Sequence, residues 1–242
     1  MSAVMLALIA GAVIGLALGA LGGGGSVLAV PALIYLLGFT PVAATTASLV
    51  IVTVTSATAL SAHARDRHVR WRTGLLFAAA GVGPAMLGGA LAGRLPAAVL
   101  TVAFAVVRML RPRSSSESII HVRPGRAGAA GAGLGAVTGV LGVGGGFLAV
   151  PALVNVLGMR IRAAVGTSLL VITVNSLAAL AMRAGTADGL DWAVIGPFAG
   201  AAILGAWDGK RLSAKLSGQT LQRVFALVLL AVAGFMLVEA VL

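Results

Sequence analysis

The sequence predicts an all-α integral membrane protein built from two inverted repeats of about five segments each, with glycine-broken helices in each repeat. Three features predict this fold: the apolar composition, a repeat that divides the chain in half, and the distribution of positive charge. Of the 242 residues, 60% are hydrophobic and 10% are charged, outside the range of soluble globular domains. Most of the chain is therefore expected to lie in a lipid bilayer.

Ten apolar stretches follow one another closely along the chain. A membrane-spanning helix needs about 20 apolar residues, so there is room for roughly eight to ten crossings joined by short loops. The first stretch lacks a basic segment before it, so we expect it to be retained and not cleaved as a signal peptide. The stretches lie at 3–21, 27–39, 42–62, 73–93, 96–110, 127–142, 147–158, 163–182, 191–209 and 219–241.

The two halves repeat at an offset of 120 residues. The element LGGGGSVLAVPAL at 21–33 returns as LGVGGGFLAVPAL at 141–153, and 25 of the 50 positions in 11–60 are identical in 131–180 without a gap. Membrane composition raises chance identity, but it does not align Pro31 with Pro151. The sequence therefore indicates an internal duplication, a common plan for secondary transporters.

The only stretch that resembles a linker lies near the middle of the chain. Residues 111–126, RPRSSSESIIHVRPGR, are rich in Pro, Ser and Arg. We expect a membrane repeat at 1–110, a cytoplasmic linker at 111–126 and a second membrane repeat at 127–242.

The basic residues indicate how the halves are oriented. Cytoplasmic loops of membrane proteins are enriched in Lys and Arg. If the two short segments of the second half together cross once, ten basic residues lie inside and seven outside; if they cross twice or re-enter, the split is fifteen to two, with only Arg94 and Arg183 outside. The second topology makes 42–62 run inward and 163–182 outward, so the repeats are inverted in a multi-pass protein of the cell membrane. The net charge of +11 is thus assigned to topology and anionic lipid, and no nucleic-acid partner is expected.

Two glycine-rich turns, Gly22–Ser26 and Gly142–Gly146, are the most distinctive local pattern. Each glycine costs a helix about 1 kcal/mol relative to Ala, so we expect a break there. If a helix restarts at Val27 or Phe147, its free N–H groups and positive dipole end point into the turn and could stabilise an anion. A tight structural hairpin is the alternative interpretation.

Other small and polar residues of the apolar segments have simpler interpretations. Gly11, Gly15 and Gly19 recur every four residues and are expected to let helices pack closely. A single hydroxyl in a membrane helix usually bonds its own backbone. Ser48 and Ser168 are better candidates for a site, since they occupy equivalent positions soon after each glycine turn.

Several function classes are disfavoured. The chain has no cysteine and three histidines, so neither a metal site nor a cofactor is expected, and no enzyme motif is credible. No carboxylate occupies the middle of a confident span, which disfavours a cation substrate and suits an anion. The six acidic residues are Asp66, Glu117, Asp188, Asp191, Asp208 and Glu239.

The duplicated glycine–proline element resembles the signature of the TauE/SafE sulfite exporter family of membrane permeases. The downstream patterns TTASLVIVTVTS and VGTSLLVITVNS, and the later LGGALAGRLP and LGAWDGKRLS, are also similar, so the resemblance covers nearly the whole chain. It implies a permease for sulfite or a related sulfur-containing or organic anion.

Together, these observations predict a secondary transporter that moves a small anion by alternating access, in contact with membrane lipid and with a homo-oligomer possible. An anion channel and a non-transporting membrane scaffold are the alternatives. The candidate substrate-binding residues are Gly24, Gly25, Ser26, Ser48, Gly144, Gly145, Gly146 and Ser168.

Overall fold

The computed structural model describes residues 3–21, 24–92, 131–136, 146–155, 157–183 and 190–215. These residues form helices and connecting turns with no strand among them, so the predicted all-α class is confirmed. The segments predicted at 96–110 and 219–241, and the linker at 111–126, lie outside them. The elements are α1 (Ala3–Leu21), α2 (Gly24–Pro31) continued by a π-helix (Ala32–Leu36), α3 (Pro41–Arg65), α4 (Trp71–Ala92), a helical segment at 131–136, α5 (Gly146–Asn155), α6 (Ile161–Ala181) and α7 (Trp192–Lys215).

Three of these helices, α1, α3 and α6, are long and apolar enough to cross a membrane. The short helices α2 and α5 contact each other, and they also pack on the long helices that follow them, α3 and α6 respectively. The short helices are thus held between longer ones.

The same turn precedes α3 in the first repeat and α6 in the second. Gly38 has φ +70° and Gly158 has φ +60°, a left-handed conformation in which a side chain would be strained. Each turn is closed by a backbone hydrogen bond from the residue after the glycine to a carbonyl oxygen six residues earlier. The bonds run from Phe39 N–H to the Leu33 carbonyl oxygen (3.0 Å) and from Met159 N–H to the Leu153 carbonyl oxygen (3.2 Å).

Helix α1 packs along α7, which belongs to the other half of the chain. Gly11, Gly15 and Gly19 face the backbone of α7 so closely that a Cβ on any of them would collide with a carbonyl oxygen. The facing residues are Phe198, Ala202 and Ala206, which also advance by four, so the two helices run parallel. The predicted packing role of these glycines is confirmed.

The same contact recurs with the halves exchanged. Gly131 and Gly135, the equivalents of Gly11 and Gly15, face the carbonyl oxygens of Phe77 and Gly81 on α4. Phe77 and Gly81 stand 121 positions before the α7 residues that meet α1. The first helix of each repeat therefore packs against the last long helix described for the other repeat.

The central helices α3 and α6 occupy equivalent places in the two repeats and run antiparallel to each other. Successive residues along α3 contact residues of decreasing number along α6. The three contacts that show this are Arg183 Nη1 to Thr45 Oγ1 at 2.8 Å, Ser56 Oγ to Thr173 Oγ1 at 2.9 Å, and the backbone N–H of Arg70, just after α3, to Thr167 Oγ1 at 3.0 Å.

Several helix bounds differ by a few residues from the predicted stretches. The helix after the first glycine turn begins at Gly24, three residues before Val27, because packing against α1 and α3 outweighs the modest propensity cost of glycine in a first turn. The last described helix continues past 209 to Lys215. The ammonium group of Lys210 reaches back to α3, where it binds Asp66 and the carbonyl oxygen of Ala62.

Candidate functional site

The described residues of the glycine elements lie at the starts of the short helices. Gly24, Gly25 and Ser26 form the first turn of α2, and Gly146 is the first residue of α5. Backbone N–H groups in the first turn of an α-helix have no partner within that helix and carry its positive dipole end. Gly144 and Gly145 lie outside the described residues. The described helix starts thus supply first-turn N–H groups without an intrahelical partner, and their use as an anion site stays a prediction.

Ser48 and Ser168 differ in their hydrogen bonding although they occupy equivalent positions. Both are fully buried. The hydroxyl of Ser168 donates to the carbonyl oxygen of Val165 at 2.7 Å. The hydroxyl of Ser48 has no hydrogen-bond partner within the described part of the chain. Ser48 is therefore the serine whose hydroxyl remains available for a ligand.

The antiparallel register separates the two serines. Because Ser56 lies level with Thr173, Ser168 lies about 13 residues beyond Ser48 along α3, or about 20 Å at the helical rise per residue. One small anion cannot touch both hydroxyls at once. The two serines belong to opposite ends of the α3–α6 pair.

Most other hydroxyls on α3 and α6 bond to the preceding turn of their own helix, as expected for membrane helices. Thr53 donates to the carbonyl oxygen of Leu49 at 2.6 Å, and Thr173 donates to that of Leu169 at 2.7 Å. These hydroxyls are satisfied locally, which leaves fewer polar groups for a ligand.

A group of polar residues at the middle of the pair includes two that remain unsatisfied. Ser56 and Thr173 share a hydrogen bond between the helices. Asn175 and Ser176 are fully buried, and the amide of Asn175 and the hydroxyl of Ser176 have no partner among the described residues. The sequence shows these two as polar residues at repeat positions, but no pattern distinguished them from locally bonded hydroxyls.

Charged contacts mark the two ends of the pair. At one end the buried guanidinium of Arg183 donates to Thr45, and burial lowers the pKa of Arg183 to about 10, so it stays protonated at neutral pH. At the other end Lys210 hydrogen-bonds Asp66 at 2.8 Å and holds the pKa of that carboxyl below its ordinary value of 3.8. The described middle of α3 and α6 carries no charged side chain.

Comparison with known proteins identifies the family. Residues 7–236 match the family described as Sulfite exporter TauE/SafE. The chain belongs to the TauE/SafE family. Two proteins of Xylella fastidiosa, both named "Probable membrane transporter protein", are each 34% identical to it; the alignments span 241 residues for strain Temecula1 and 242 for strain 9a5c, and each covers 94% of this chain and 92% of the relative. No solved structure matches.

Membership of the TauE/SafE family assigns a general role to the architecture. The match extends across both repeats, and the relatives are named as transporters. The protein is a membrane transporter and not an enzyme. The first turns of α2 and α5 and the buried hydroxyls of α3 and α6 are therefore candidate contacts for a transported solute.

Proposed function

We propose that this TauE/SafE transporter moves a small anion, sulfite or a related sulfur-containing or organosulfonate anion, across the cell membrane by alternating access. In this proposal its two halves act as inverted repeats. The family description, Sulfite exporter, supports the substrate class.

The observation that carries the mechanism is the antiparallel course of α3 and α6, which are equivalent helices of the two repeats. Inverted repeats place equivalent helices in opposite directions across the membrane. The exchanged packing of Gly15 on α7 and Gly135 on α4 supports the same arrangement. Rocking one repeat against the other would open the space between them to each side in turn.

Charge and hydrogen bonding support an anion as the solute. The first-turn N–H groups of Gly24, Gly25 and Gly146 have no partner within their helices, and they favour negative charge without a basic side chain. The acidic residues in the described ranges, Asp66, Asp191 and Asp208, lie in turns or towards a helix end. Cation transporters generally need a carboxylate within the membrane, so the described helices suit an anion better.

Because Ser48 and Ser168 lie far apart, we expect the anion to contact the two glycine elements in succession and not at the same time. In this proposal the Ser48 hydroxyl assists the Gly24–Ser26 element, whereas Gly144–Gly146 bind through backbone N–H groups because the Ser168 hydroxyl already donates to Val165. The anion meets one element when the site is open to one side of the membrane and the other element when access changes.

Flux through proteoliposomes containing the purified protein tests this function. We expect saturable uptake and efflux of sulfite, thiosulfate or an organosulfonate, with counter-transport by unlabelled anion. Flux without saturation or counter-transport would indicate a channel. No flux of any anion above that of protein-free vesicles would contradict the proposal.

A pair of glycine variants tests the site. Gly25→Leu should abolish saturable flux, because the new side chain covers the N–H groups of the first turn of α2. Gly200→Leu is the control, since Gly200 is an exposed glycine of α7 with no atom near the position of an added Cβ. Equal flux by both variants would exclude the α2 start from the site.

A further inference from the structure

The middle of the α3–α6 pair contains two buried polar side chains without a hydrogen-bond partner in the described structure. Asn175 and Ser176 lie within three residues of Thr173, the residue of α6 that bonds across to Ser56. This is the level at which the two repeat-equivalent helices meet. Solute sites of transporters built from inverted repeats lie near this level, at the repeat interface.

The equivalent residues of α3 provide an internal comparison. Thr55, the equivalent of Asn175, donates to the carbonyl oxygen of Ile51 at 2.6 Å. Ser56, the equivalent of Ser176, is bonded to Thr173 at 2.9 Å. The first repeat thus satisfies its polar groups at this level, while the second repeat leaves both ends of one amide and one hydroxyl without a partner in the described structure.

Unsatisfied polar groups in a membrane interior are costly. A buried amide or hydroxyl that loses water without gaining a hydrogen bond costs about 1–3 kcal/mol by protein mutational measures, and bilayer lipid offers no replacement. A buried orphan polar group in a native protein calls for a ligand, a water or a functional reason. Two adjacent residues with this property point to a place that a polar solute occupies.

Glycine at position 81 lets the neighbouring helix α4 pack closely against the amide. A Cβ at Gly81 of α4 would lie 2.7 Å from Nδ2 of Asn175 and 2.8 Å from the carbonyl oxygen of Gly131. Ala202 takes the place of Gly81 in the second repeat and carries that methyl group. The amide therefore lies where α4 and the 131–136 segment approach α6, and the other repeat has a methyl group at the equivalent place.

The available groups also limit the charge of the solute. Asn175 and Ser176 offer N–H and O–H donors and one amide oxygen, all neutral, and the described central turns of α3, α4 and α6 contain no Lys or Arg. The cost of moving an ion out of water rises with the square of its charge, so a dianion costs about four times as much as a monoanion. Neutral donors alone favour a single negative charge.

We infer that Asn175 and Ser176 form a mid-membrane binding site for a monovalent oxyanion, such as hydrogensulfite or an alkylsulfonate, and that this site discriminates against divalent anions. The amide N–H and the serine hydroxyl donate to the anion's oxygens, and the amide oxygen accepts from the hydroxyl of a protonated anion or from a water. This inference rests on the proposed anion transport and identifies the charge state that is carried.

Isosteric variants of the two residues, with their equivalents on α3 as matched controls, test the site. The probe is methanesulfonate, a monoanion at every pH used, and the measurement is its affinity for the purified full-length protein. Asn175→Leu and Ser176→Ala should each weaken binding about ten- to hundredfold, the loss expected for a hydrogen bond to a charged ligand. Thr55→Val and Ser56→Ala should change affinity less than about threefold, because their hydroxyls are satisfied within the protein.

Thermal unfolding separates a binding role from a structural one. If Asn175 were a structural residue, Asn175→Leu would lower the Tm of the ligand-free protein. Because its amide lacks a partner in the described structure, we expect the ligand-free Tm to stay equal or rise while affinity falls. A lower Tm with unchanged affinity would overturn the inference. Should Asn175→Leu fail to fold, Ser176→Ala and the charge test below decide the question.

A second test of the site measures how binding depends on the charge of the anion. Sulfite binding should weaken as pH rises through neutrality and hydrogensulfite becomes the dianion, while methanesulfonate binding stays constant and sulfate does not compete. Equal binding of sulfate and methanesulfonate would overturn the site's charge selectivity. Transport with unaltered affinity in both α6 variants would refute this site alone, whereas an absence of transport of every anion would refute the proposed function.

Discussion

Replacing Gly15 with alanine should loosen the contact between α1 and α7. The added Cβ would lie 2.6 Å from the Cα and from the carbonyl carbon of Ala202, and closer still to its oxygen. Carbon atoms pack at about 3.5–4.0 Å, so the two helices must separate by roughly 1 Å at this point. Because the obstacle is backbone, it cannot rotate away as a side chain could.

The size of the effect follows from these distances. Overpacking one methyl group costs about 1–3 kcal/mol, and a backbone clash places Gly15→Ala in the upper part of that range. Alanine regains up to about 1 kcal/mol of helix propensity, which leaves a net loss of about 2 kcal/mol. For a chain of this size that corresponds to a fall in Tm of roughly 4–8 °C.

Thermal unfolding of the purified protein, followed by the fluorescence of its three tryptophans, measures the change. Gly200→Ala is the matched control, because no atom lies within 4 Å of a Cβ added there, and its Tm should be unchanged or slightly higher. An unchanged Tm for Gly15→Ala would refute the close backbone packing of α1 on α7.

Two further predictions concern the ends of the α3–α6 pair. Arg183→Gln and Thr45→Val should show a coupling of about 1.5–3 kcal/mol in a double-mutant cycle of thermal stability, because a buried charge-assisted bond joins them; additive effects would mean that the bond contributes nothing. Lys210→Met should destabilise by less than about 1 kcal/mol, since its partner Asp66 is largely exposed. Lys210 depresses the pKa of Asp66, so the ion pair stabilises the protein above pH 3.8 and this contribution is lost as pH falls through the lower folded value; the two proteins should therefore converge in Tm on acidification, and a constant difference would contradict this.

The sequence predicted the helices of the described ranges well because the apolar stretches are long and are separated by recognisable turns. It also predicted that Gly11, Gly15 and Gly19 allow close packing, since small residues at a spacing of four form one face of a helix. It did not predict that α7 fills this face. A glycine series shows that a neighbour comes close, but it carries no information about which helix that neighbour is.

Hydrogen-bond status could not be predicted for individual polar residues. Ser48 and Ser168 are identical in type and repeat position, yet Ser168 bonds to its own helix and Ser48 does not. Asn175 and Thr55 are equivalent in the same way and differ in the same way. Such differences depend on rotamers and on neighbouring helices, which a repeat pattern does not specify.

Inverted repeats require the equivalent helices α3 and α6 to cross the membrane in opposite directions, and cysteine labelling from each side tests this most directly. The chain has no native cysteine, and Arg67, Arg160, Thr40 and Asp191 are exposed in turns at the helix ends. Single cysteines at 67 and 160 should react with an impermeant reagent from the cytoplasmic side, and those at 40 and 191 from the opposite side. Labelling of 67 and 191 from the same side would contradict the inverted arrangement and the alternating access built on it.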